Sequence, residues 1–252
     1  MPLRPPAATG STGESRPIYR KISFSKLVDL FMLDLRQYRD EQPASPAEST
    51  VINAPSRTLL GTQGAVPLNV DSWDGYASSR LQILGLIAGA AGNPVPNCVF
   101  LTGDIHSTDA CVIPANPAGY NPDTSKSLAT EFVCTSITSD NVNELVGQPE
   151  RVPNGLGGYM GNPATAGLEG LIRAFNAWVR DVNLDFHEYS VVDVTPSRTQ
   201  VDSWVLRSDA SVAFAADPRI DPNAACVFRN SYQTLNLTQK VTPAAGPLGP
   251  RI

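Results

Sequence analysis

The sequence predicts an α/β protein with mixed sheets and long irregular connections, and three observations carry that expectation. Short apolar stretches with strand periodicity alternate with segments of helical periodicity, the arrangement of α/β units. The 252 residues include 22 prolines and 19 glycines, which break the chain into loops and argue against a helical bundle. Charged residues make up 17%, below the roughly 25% of an average domain. A chain of this length can bury a sizeable core.

Residues 1–17 are rich in Pro, Gly, Ser and Thr and read as a flexible arm. From Ile18 to Phe24 apolar and polar residues alternate, the pattern of a half-buried strand. Residues 27–33 are nearly continuously apolar and predict a buried strand that ends in the polar cluster 34–40. Residues 41–72 read as loop. Residues 77–91 place Leu81, Leu84 and Ile87 at helical spacing, and a Gly92-Asn93-Pro94 turn leads into an apolar strand at 98–102. A further buried strand is expected at 131–137, then a glycine-rich loop over 147–167. Leu168, Leu171, Ile172, Phe175, Val179 and Val182 form a helical stripe, with Thr165 as its N-cap. Residues 189–195 and 199–206 flank Pro196-Ser197 as a hairpin. Residues 236–252, with three prolines, read as a flexible tail.

The charge balance, 19 Lys and Arg against 24 Asp and Glu for a net −5, excludes a basic nucleic-acid groove as the main surface. The longest apolar stretch, residues 81–91, falls short of the roughly 20 residues that span a bilayer. The N-terminus shows no apolar signal-peptide region. The four cysteines have no CxxC spacing, so buried thiols are expected rather than a zinc ribbon.

Two histidines are available. His106 ends Thr102-Gly103-Asp104-Ile105-His106, directly after an apolar strand, and open α/β sheets bind ligands at the carboxyl ends of their strands. Asp104 and His106, two apart in an extended segment, project from one side and suit a metal ion, one as a hard anionic donor and the other as a nitrogen donor. A tight turn with its own hydrogen bonds explains the same spacing. His187 precedes a strand and reads equally as a structural or a site residue. The cluster 71–76 holds Trp73, Asp74 and Tyr76, which either line a site or roof the core and cap a helix. Arg36 suits bidentate anion binding or a surface ion pair. There is no GxGxxG, P-loop, GxSxG or HExxH motif.

Taken in order, seven segments resemble the PhoD-type alkaline phosphatases and phosphodiesterases of the metallophosphatase superfamily. They are residues 1–4, 18–21, 33–40, 71–76, 101–106, 131–139 and 189–204. The resemblance implies a partial αββα sandwich over 18–235, as the truncated catalytic domain. It implies a metal-dependent hydrolase of small phosphate esters, with calcium and iron as suggested metals and a metal-bound hydroxide as nucleophile. By similarity Asp104 and His106 are catalytic metal ligands within the family's Gly-Asp-x-His motif, and Asp74 and Tyr76 match its Trp-Asp-Gly-Tyr motif, with Asp74 a further ligand. Arg36, Tyr76 and His187 are implied at or just behind the substrate. Family members are usually secreted or periplasmic. The family's upstream metal motifs precede a Met-Pro-Leu-Arg stretch that here is residues 1–4, so the resemblance covers the C-terminal part of the catalytic domain. The alternative expectation is a catalytically inactive or partner-dependent C-terminal fragment, paired with a separate N-terminal half.

Overall fold

The most deeply buried strand is one that periodicity did not mark. The computed structural model describes residues 20–33, 77–117, 119–142, 152–153, 159–160, 163–208 and 224–248. The chain divides into two compact units, Met1–Gln42 and Pro43–Ile252.

In the first unit, β1 (Arg20–Phe24) and β2 (Val28–Met32) form an antiparallel hairpin, with Ile22 opposite Leu30 and Phe24 opposite Val28. Those residues share one face, and the other carries the Lys21–Asp29 ion pair at 2.8 Å. Both strands appear where the apolar pattern put them. Their expected burial does not: all of β1 is exposed, and β2 is only partly shielded. Alternation fixes which residues share a face but not whether anything covers it. The expected arm 1–17, the polar cluster 34–40 and the loop 41–72 lie outside the described residues.

The second unit is built on two four-stranded sheets. The first has the order β3 (Val99–Thr102), β5 (Ser127–Val133), β4 (Thr108–Pro114), β8 (Val179–Asn183). β3 runs parallel to β5, while β4 is antiparallel to β5 and β8. The second sheet, β12-β11-β10-β9, is antiparallel throughout: β9 (Glu188–Val194), β10 (Arg198–Ser208), β11 (Ala224–Leu235) and β12 (Val241–Pro243). The sheets pack face to face, with Ala110, Val112 and Phe132 of the first against Val201 and Val241 of the second. A Thr234–Thr130 hydroxyl bond at 3.0 Å crosses between them. Helix α1 (Ala77–Ile87) buries Ile87, and α2 (Pro163–Phe175) covers the far side of the first sheet, where Ile172 and Leu168 meet Cys111, Val179, Val182 and Leu184. Two short strands, β6 (Val152–Pro153) and β7 (Tyr159–Met160), pair within the expected glycine-rich loop. Among the described residues no helix is long and apolar enough to cross a membrane.

This is a mixed α/β sandwich, as expected, with several local differences. The strand expected at 131–137 starts earlier, at Ser127, because β5 pairs with both β3 and β4. The stripe from Leu168 to Val182 is not one helix: α2 ends at Phe175, and Val179 and Val182 belong to β8. Asn176 stops the helix, since its side-chain amide donates to the Ile172 carbonyl at 2.7 Å, and pairing with β4 then makes the next segment a strand. Thr165 sits inside the first turn, which begins at Pro163, a favoured opening residue. The expected tail carries β12, with Val241 buried, and the Leu248 amide donates to Asp202 at 2.9 Å. Three prolines there limit the chain's freedom without preventing its docking. The thiols are all free; Cys111 is buried, Cys98 and Cys134 partly so, and Cys226 is exposed.

Candidate functional site

Because β8 is antiparallel to β4, and β4 to β5, the strands β3, β5 and β8 all point the same way. Their carboxyl ends therefore meet at one edge of the first sheet, the edge where parallel strands of open sheets receive ligands. Three segments emerge there: residues 103–107, 134–141 and 184–187.

Polar contacts tie these segments together. The Cys134 amide donates to the Thr102 carbonyl at 3.0 Å and extends the β3–β5 ladder by one rung. Gly103 lets the strands approach closely at that rung, since a Cβ there would stand a tight 3.1 Å from the Cys134 carbonyl oxygen. Thr135 Oγ1 donates to Asn141 at 2.5 Å, and Asn141, fully buried, donates on to the Asp185 carbonyl at 3.2 Å. The Ser136 carbonyl accepts from the Glu188 amide at 3.3 Å and from His187 Nδ1 at 3.3 Å.

Asp104 and His106 sit on the first segment, but not in the extended backbone that their spacing suggested. Both adopt the left-handed conformation, Asp104 with φ 73° and His106 with φ 58°. Two such residues within three positions are a local strain that L-residues rarely accept. Asp104 is exposed and His106 half-buried. The His106 ring is fixed through Nδ1, which lies within hydrogen-bond reach of the Asp140 carbonyl oxygen. A carbonyl can only accept, so Nδ1 is the donor, which leaves Nε2 as the nitrogen available to a ligand when the ring is neutral. That is the tautomer a metal-binding imidazole needs, with its other nitrogen donating to a backbone carbonyl.

His187 is different. It is 2% exposed, held by Ser136 and flanked by the β9 start, so it stands behind the rim. Arg36, Asp74 and Tyr76 lie outside the described residues. The donor chemistry of Asp104 and His106 fits a hard or borderline cation, one carboxylate with one imidazole. Among the described residues no group of three or more His, Cys, Asp or Glu is arranged to hold a metal ion.

Sequence reasoning missed the residues that shape the site without touching its ligand. Asp140, Ser136, Asn141 and Asp185 act through backbone carbonyls or buried amides, which leave no motif. Glu188 did leave a signal: in His187-Glu188-Tyr189-Ser190 it occupies the same strand face as Ser190, Val192 and Val194, a charge on an otherwise uncharged face.

Comparison with known proteins agrees with this architecture. The family model of PhoD-like phosphatases matches residues 1–65 and 62–203. Alkaline phosphatase D of Bacillus subtilis (strain 168) is 30% identical over 175 residues, covering 55% of this chain and 29% of that protein. A solved chain described as "Structure of PhoD" shares the fold, with a TM-score of 0.64 at 24% identity over 98% of this chain and 47% of its own length. The chain therefore spans less than half the length of these relatives. Because the family model matches most of the chain, the chain belongs to the PhoD-like phosphatase family.

Proposed function

We propose that this chain contributes to hydrolysis of small phosphate esters, with the carboxyl ends of β3, β5 and β8 as the reaction site. The observation that carries the reading is the His106 ring, fixed through Nδ1 with Nε2 left as a donor, beside Asp104 in a strained turn. Nature places such strain where geometry matters more than local stability.

Asp104 and His106 would hold one side of a metal ion, with Asp74 as a further ligand by its motif; calcium and iron are the metals the family resemblance suggests. A bound cation would supply neutralisation of phosphoryl oxygens and acidification of water. The chain's own residues supply the rest. The Asp140 carbonyl keeps the His106 ring in one tautomer and one orientation. Gly103 lets the first two segments approach closely enough for that contact. His187, buried and bonded to the Ser136 carbonyl, steadies the second segment from behind. Arg36 and Tyr76 are proposed on the substrate side, where a guanidinium matches a phosphate through paired hydrogen bonds.

The test is hydrolysis of a chromogenic phosphomonoester and a phosphodiester at alkaline pH, with calcium and iron supplied, for the wild type and for Asp104→Ala. Loss of a ligand is expected to cut turnover at least about 100-fold. Equal turnover in both proteins would remove Asp104 from the site. No turnover by a folded wild-type chain would sink the hydrolase reading for this chain alone.

A further inference from the structure

Behind the site the sandwich interior is charged. Arg229 on β11 is a half-buried cation there, and three carboxylates act on it: Asp181 on β8, Glu188 on β9 and Glu169 on α2. Asp181 holds it in the structure, accepting from both guanidinium nitrogens at 2.6 and 3.1 Å, with Asn230 adding a bond at 3.0 Å. Glu169 accepts from the Leu184 amide at 2.8 Å. Glu188 is held less firmly. It is 0% exposed, and no close, well-aligned hydrogen bond reaches either of its oxygens, although Arg229 and the Thr108 and Ser203 hydroxyls act on it. Thr108 Oγ1, one of the two hydroxyls that face it with Ser203, is likewise buried without one.

The chain ties this cluster to the candidate site directly. Glu188 follows His187, and Thr108 lies two residues after His106. The charged and titratable groups facing Glu188 are Arg229, which favours its ionised form, Asp181, which opposes it, and the Cys134 thiol at the end of β5. Asp109 and Tyr232 line the small cavity beside Thr108 and Ser203. Burial is the largest influence and pushes the Glu188 carboxyl up to about 7.

Taking the strand-end site as read above, we infer that Glu188 is a pH-responsive positioning residue of that site, because one guanidinium serves competing buried carboxylates one residue behind His187. With Glu188 neutral, Arg229 stays on Asp181. When Glu188 gives its proton to bulk water, its carboxylate competes with Asp181 for Arg229. The β9 start and the His187 ring then move between two arrangements, the kind of two-state element a local charge can bias.

The chain has two histidines, so its imidazole carbon spectrum holds two ring signals, assigned with His106→Gln. In the wild type the His187 signal is expected to step with a midpoint near pH 7. In Glu188→Gln, which keeps the size and removes the titration, that step is lost while the signal keeps its low-pH position. An unchanged step in Glu188→Gln overturns the inference, because the ring would then be reporting its own protonation. The wild type offers a second reading that needs no variant to fold: with carboxyl-labelled glutamate, one signal must titrate near pH 7, and its absence also overturns the inference. Neither measurement depends on turnover, so a chain that hydrolyses nothing leaves this result interpretable.

Discussion

The two edge strands of the first sheet differ in almost everything except their direction. β8 is buried along four of its five residues, shielded by α2 on one side and by the Arg229–Asp181 pair on the other. β3 is half-covered at best, and Leu101 at its centre is 50% exposed. The proposed donors Asp104 and His106 follow the thin edge, whereas the thick edge leads into the buried His187. A strained pair of residues needs support from somewhere, and here the neighbouring segment supplies it through the Asp140 carbonyl, which holds the His106 ring. The best-buried strand and the strained backbone of the two candidate donors thus lie toward opposite edges of one sheet.

The largest effect of a single substitution is expected at the thick edge. Asp181→Asn leaves Arg229 buried beside two carboxylates but without its paired ion. Removing one partner of a buried pair costs about 3–5 kcal/mol, and the low exposure of both side chains, 19% and 10%, puts this pair in that class. Urea unfolding monitored by tryptophan fluorescence should show the loss as a lower midpoint at unchanged slope. A shift below about 1 kcal/mol would mean that β8 is held by α2 and its apolar contacts alone.

The same division explains what was legible in the sequence. The β9–β10 hairpin announced itself, because a half-buried antiparallel pair alternates and its turn at Pro196-Ser197 breaks the pattern. Asp104 and His106 stood out as candidates, since chemistry restricts residue type and the end of an apolar strand restricts place. β4 was not legible. Thr108–Pro114 is buried on both faces, so it has no alternation to display, and its burial depends on strands far away in the chain. Val179 and Val182 fell at helical spacing from Ile172 and Phe175 by coincidence of period, and only pairing with β4 decides for strand. The left-handed turn at Asp104 left no trace either, because no glycine occupies those two positions.

The interior charges give a second test, and it depends on pH. Glu188 is an acid whose folded-state value, about 7, lies above its ordinary 4.5. The folded state therefore binds that proton more tightly, so stability is greatest below pH 4.5 as far as this group is concerned and falls as pH rises toward 7. The full difference is on the order of 3 kcal/mol. Comparing urea midpoints at pH 5 and pH 8.5 for the wild type and Glu188→Gln isolates this contribution from other titrations. The variant should lose less on alkalinisation; an equal loss would place the buried charge elsewhere.

At the strained turn the expected effect is smaller and its sign is instructive. Asp104→Gly should be more stable than Asp104→Ala by about 1–2 kcal/mol, since glycine accepts φ near +73° at no steric cost. Both variants lose the carboxylate and with it the proposed metal donor. Equal melting temperatures would mean that the turn relaxes once the carboxylate is gone, and that the side chain itself holds the backbone there.

The smallest effect belongs to the thin edge. Leu101→Ala removes a side chain that is half in water already, so the transfer contribution is about half that of a core leucine and little cavity can form around it. A loss below about 1 kcal/mol is expected in the same urea titration, against about 2–4 kcal/mol for Ile172→Ala, where α2 packs on the buried side of the sheet. If Leu101→Ala cost as much as Ile172→Ala, β3 would be covered in solution, and the exposed centre of the strand would be an interface with something else. The oligomeric state of the wild type, measured by light scattering at the concentration of the titration, distinguishes a second copy of the chain from tighter packing within one. The outcome bears on the candidate site as well as the edge, because Leu101 precedes Asp104 by only three residues.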